Sequence, residues 1–70
     1  MTAASNRQLG VVLVVEDDWL TRASIVDDLT TAGCIVLESS GASSAIASLK
    51  SSEHIDLLFI DTDLREELLG

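Results

Sequence analysis

Apolar residues occur in this chain as blocks whose period changes along its length. Leu9 to Val15 is almost entirely β-branched or aliphatic, which is how a strand buried on both faces reads. From Asp18 to Ala32 the pattern shifts to helical spacing, with Arg22, Ile25, Leu29 and Ala32 on one stripe and Val26 beside them. Gly33 follows as the left-handed residue that ends a helix. Cys34 to Leu37 is a short second strand, closed by the polar run Glu38-Ser39-Ser40-Gly41. Ala42, Ala45, Ile46 and Leu49 then mark the apolar stripe of a second helix, serine-rich and weak in intrinsic propensity, which must rely on packing. Lys50 to His54 is a polar turn. Ile55 to Ile60 is the third strand, and its apolar side chains are expected to point inward.

Strand, helix, strand, helix, strand in that order predicts an α/β fold with right-handed crossovers and a parallel sheet in the order 2-1-3. Ligands of such sheets bind beyond the carboxyl ends of the strands, where the chain order reverses. Here that point lies between the first and third strands. Each of those strands ends in carboxylates: Glu16-Asp17-Asp18 after the first and Asp61 after the third. Like charges brought that close repel unless a cation or a shared proton neutralises them, so the convergence points to a divalent-metal and phosphoryl site. Capping of the first helix is the plainer role open to Glu16-Asp17-Asp18, since acidic residues suit a helix N-terminus. Asp61-Thr62-Asp63 has the plainer role of a strand-ending turn.

The ordered set of Val11-Val12-Leu13-Val14-Val15-Glu16-Asp17-Asp18, Arg22, Gly33, Ala45-Ile46 and the run from Asp56 to Asp61 resembles the receiver domain of two-component response regulators. The similarity covers residues 9–64, about the first half of such a domain. It implies a flavodoxin-like, doubly wound sheet, represented here by its first three strands and two helices, with residues 9–70 a partial receiver domain. It further implies that Asp61 is the phosphoacceptor, attacking a phosphoryl group carried by a sensor histidine kinase, a phosphotransfer protein or a small phosphodonor. Glu16, Asp17, Asp61 and the backbone carbonyl of Asp63 would hold Mg²⁺. Receivers also use a hydroxyl residue and a lysine from two further strands; the one lysine of this chain, Lys50, falls elsewhere. Nor does a proline follow Asp61, where Leu64 leads into Arg65-Glu66-Glu67. A non-catalytic association module is therefore the alternative function.

Composition narrows the partners. Twelve acidic residues against 4 basic ones give a net charge of −8, which argues against nucleic acid or an anionic membrane as a direct partner. A single cysteine rules out an internal disulfide and suits a reducing cytoplasm. No apolar run approaches the ~20 residues of a membrane-spanning helix, and residues 1–8 read as a short disordered tail. A chain of 70 residues with 47% hydrophobic content is small for its apolar load, since domains of this size bury only ~60% of their unfolded surface. The exposed edge of the third strand or the tail at 65–69 is thus expected to support a homo-oligomer.

Overall fold

The computed structural model describes residues 9–51 and 54–61. Five elements follow in order: β1 (Val11–Val15), α1 (Trp19–Thr31), β2 (Ile35–Ser39), α2 (Ala42–Lys50) and β3 (Leu57–Ile60). The sheet is parallel, in the order β2-β1-β3, as the alternation of strand and helix patterns predicts. Val11 pairs with Ile35 and Val15 with Ser39, while on the other side Val12 pairs with Leu57 and Val15 with Ile60. The carboxyl ends of β1 and β3 therefore finish level, which decides where the acidic residues lie.

Alternation along β1 sends Leu13 and Val15 to one face and Val12 and Val14 to the other. All four are buried, so the central strand is apolar because both of its faces are covered. Leu13 and Val15 meet Ala45 of α2 in the core, with Leu37, Ile55 and Ile60 packed against them. Both helices pack on β1 and β2.

Each end of α1 is closed by local chemistry. Asp18 stands in an extended conformation before the helix, and its side chain accepts the N–H of Thr21 at 2.9 Å. That is N-capping, in which a side-chain oxygen satisfies a donor with no partner inside the helix. At the other end Gly33 takes φ 106°, its N–H reaches Thr30 O at 3.0 Å and the N–H of Cys34 reaches Leu29 O at 3.0 Å. This paired arrangement is a Schellman closure and needs the left-handed residue that glycine supplies. Ile25, Val26 and Leu29 of the expected stripe are half-buried, whereas Ala32 is exposed at the C-cap.

Several boundaries and exposures differ from the sequence reading. β2 runs through Glu38 and Ser39, read above as part of the polar run that closes it, because both pair with β1 opposite Val14 and Val15; ladder pairing outweighs their polar character. Lys50 closes α2 instead of opening a turn. Ala45 is fully buried, but Ile46 and Leu49 of the same stripe are 39% and 47% exposed. The largest departure is β3, whose Leu57, Leu58 and Phe59 are 55%, 39% and 44% exposed. Among the described residues β3 pairs only with β1, and the helices lie over β1 and β2, so little covers it. Residues 1–8 and 62–70, including the expected tail and Asp63, lie outside the described residues.

Candidate functional site

Level strand ends bring Asp61 beside Glu16. The N–H of Asp61 continues the β1–β3 ladder by donating to Val15 O at 3.1 Å, and the N–H of Glu16 continues the β1–β2 ladder by donating to Ser39 O at 3.0 Å. Both residues are thus anchored through their backbones at the rim of the sheet. Glu16, Asp17 and Asp61 each place one carboxylate oxygen within 4.8 Å of the others. Glu16 is buried, Asp61 half-buried and Asp17 exposed. Three of the four residues expected at a metal site converge, and the fourth, Asp63, is outside the described residues.

Asp18 belongs to the same acidic run but not to the cluster. Its carboxylate faces α1, where it accepts from the N–H and hydroxyl of Thr21. The Thr21 hydroxyl, the Thr21 N–H and the nearby charge of Arg22 hold its pKa below the ordinary value, outweighing partial desolvation. Capping is therefore the role of Asp18, which stands apart from the three converging carboxylates.

Glu16 titrates in the opposite direction. The N–H of Asp18 donates to its Oε2 at 3.1 Å, and this bond favours the charged form. Desolvation, a side-chain hydrogen bond with Asp17 and the negative charges of Asp61 and Asp17 oppose it, and together they raise the Glu16 pKa above 4.5. Crowded carboxylates of this kind gain most from a cation. The donor set fits a hard divalent ion: all-oxygen, anionic and partly open to solvent. Opposed ligands of an ion the size of Mg²⁺ lie ~4.2 Å apart and those of Ca²⁺ ~5 Å, so oxygens within 4.8 Å need only small rotations to share one ion.

Contacts from Arg22, not legible in the pattern of apolar positions, support Glu16. Arg22 Nη1 donates to the carbonyl of Glu16 at 2.7 Å and Arg22 Nε lies 3.4 Å from Glu38 Oε1. Arg22, Glu38, Ser39, Ser40 and Ser44 line an open polar cleft of about 260 Å³ next to this contact. Spacing places Arg22 on the apolar stripe of α1; a charged residue there, about one turn after an acidic run, is the available signal.

At the opposite end of the sheet, His54 and Asp56 lie with Nε2 and Oδ1 2.5 Å apart, so the exposed His54 is partnered. Cys34 is half-buried. Among the described residues no helix is long and apolar enough to cross a membrane. Comparison with protein-family models, with curated proteins and with solved structures finds no match.

Proposed function

We propose that this chain is a phosphoacceptor module of the two-component receiver kind, with Asp61 as its nucleophile. The observation that carries this reading is the convergence of Glu16, Asp17 and Asp61 within 4.8 Å at the carboxyl ends of two neighbouring parallel strands. An ionised carboxylate needs no separate base: an oxygen of Asp61 attacks phosphorus while the bond to the donor, a phosphohistidine nitrogen or a small acyl phosphate oxygen, breaks. The new acyl phosphate stays on Asp61 and the electron pair leaves with the donor. A bound Mg²⁺ supplies charge neutralisation for the phosphoryl oxygens. Glu16 and Asp17, with the backbone carbonyl of Asp63, are the residues that would hold it beside Asp61.

The partner in this reading is a sensor histidine kinase or a phosphotransfer protein, and the setting is the cytoplasm. A net charge of −8 disfavours nucleic acid as a direct ligand. Incubating the protein with a small acyl phosphate and Mg²⁺ and mapping the adduct by mass spectrometry tests the proposal. One alkali-labile phosphoryl group on Asp61, lost in Asp61→Asn and at low yield because no lysine is placed at the site, is the expected result. Efficient labelling of Asp61→Asn would remove Asp61 from its role.

Exposure of Leu57, Leu58 and Phe59 on β3 favours a second reading, an association module whose third strand pairs with another copy. Sedimentation at micromolar protein should then detect a dimer that Phe59→Lys weakens. A monomer with β3 amides strongly protected from exchange would exclude it.

A further inference from the structure

Arg22 spans three elements. It belongs to α1, donates to the carbonyl of Glu16 at the end of β1 at 2.7 Å and pairs with Glu38 of β2 at 3.4 Å. Its side chain is 20% exposed against 52% for Glu38, so the guanidinium is the sheltered partner and the carboxylate faces water. A guanidinium offers donors in a rigid planar fork, and two acceptors on different elements fix its orientation. The peptide that Arg22 grips joins Glu16 to Asp17. Its plane sets the directions in which both of their side chains leave the backbone.

We infer that Arg22 is a positioning residue for the acidic site: by holding the Glu16 carbonyl against α1 and β2, it aims two of the three converging carboxylates. This inference rests on the reading of Glu16, Asp17 and Asp61 as a cation site. Arg22 acts through the backbone of Glu16, whose carboxylate accepts from the N–H of Asp18 instead. A rival role for a guanidinium in this place is that of a fixed counter-charge. The two roles predict opposite signs. A counter-charge competes with a bound cation, so removing it tightens metal binding. A positioning group preorganises the ligands, so removing it weakens metal binding, by ~10-fold on the scale of other outer-shell contacts.

The decisive experiment compares the full chain with Arg22→Gln and Arg22→Lys. Mg²⁺ binding is followed by Trp19 fluorescence, and amide exchange at Asp18, Leu13 and Val14 is measured by NMR without metal. Positioning predicts that both variants bind Mg²⁺ ~10-fold more weakly, because lysine keeps the charge but not the fork. It also predicts faster exchange at the Asp18 N–H, which reports the aim of the Glu16 carboxylate, with Leu13 and Val14 unchanged as controls of the strand. Tighter binding in Arg22→Gln, or wild-type behaviour of Arg22→Lys in both readouts, would overturn it. Should the native chain bind no Mg²⁺, the cation-site reading fails by itself, and unchanged Asp18 exchange in the variants would overturn the positioning role separately. If Arg22→Gln does not fold, Arg22→Lys alone decides.

Discussion

The carboxylate of Asp56 accepts the backbone N–H of Val11 at 2.8 Å across 45 residues of chain. In return the N–H of Asp56 donates to Val11 O at 2.8 Å, so the first residue of β1 and the residue before β3 are tied twice. Gly10 makes this approach possible. Its φ is +136°, and a Cβ there would lie 2.8 Å from Asp56 Oδ2. Gly10→Ala should therefore cost about 1–3 kcal/mol, from strain at a glycine conformation and displacement of the Asp56 side chain. Chemical denaturation checks this, and an unchanged midpoint would show that the tie yields freely.

The same contact predicts acid sensitivity. The Val11 N–H, then the His54 hydrogen bond and charge, hold the Asp56 pKa below 3.8 against partial desolvation. A depressed carboxyl contributes stability that is present above its ordinary pKa and lost as pH falls through the folded value. Thermal melts between roughly pH 5 and pH 2 should show a steeper acid limb in the native protein than in Asp56→Asn, which keeps an acceptor but cannot ionise.

Glu16 predicts the reverse slope. Its pKa is raised above 4.5, so its contribution is fully present below the ordinary value and is lost as pH rises through the folded one. Without divalent cation, Glu16→Gln should be more stable than the native chain at neutral pH and should show less decline above pH 4.5. Saturating Mg²⁺ should reverse the order, since an ion that binds only the folded native site stabilises it by mass action. Equal melting temperatures for both proteins with and without Mg²⁺ would contradict the description of Glu16 as a strained acid.

Core substitutions should follow the two faces of β1. Leu13 is fully buried between α2 and the sheet, and Leu13→Ala should cost about 2–5 kcal/mol. Ala45 is equally buried, and Ala45→Leu should cost about 1–3 kcal/mol by overpacking. Phe59→Ala, on a side chain 44% exposed, should cost less than Leu13→Ala. Urea midpoints rank the three, and a larger loss for Phe59→Ala would mean that β3 is better covered than its exposure indicates.

What the sequence discloses about this fold depends on how local each cause is. β1 is legible because burial on both faces leaves a continuous apolar run, and Gly33 because one residue type answers one backbone need. β2 is read two residues too short at its end, since Glu38 and Ser39 are held in the ladder by Val14 and Val15, partners more than twenty positions away. Apolar character suggests that Leu57, Leu58 and Phe59 turn inward, but character alone does not say which strand of a sheet lies under a helix. The convergence of Glu16, Asp17 and Asp61 is legible because the strand order follows from the order of elements. The tie from Asp56 to Val11 and the grip of Arg22 on Glu16 are not, because each is a side chain meeting a backbone group whose position only the folded chain defines.

In the proposed function, carboxylates separated by 44 residues, Asp17 and Asp61, act with Glu16 as one site. Mg²⁺ titration followed by Trp19 fluorescence in the native chain, Asp17→Asn and Asp61→Asn tests it most directly, because Trp19 adjoins the first carboxylates in sequence and not the last. The account predicts weak but saturable binding by the native chain and a loss of about tenfold or more in each variant. An Asp61→Asn titration that overlays the native one, while Asp17→Asn shifts, would show that the end of β3 takes no part in the site and would contradict the claim.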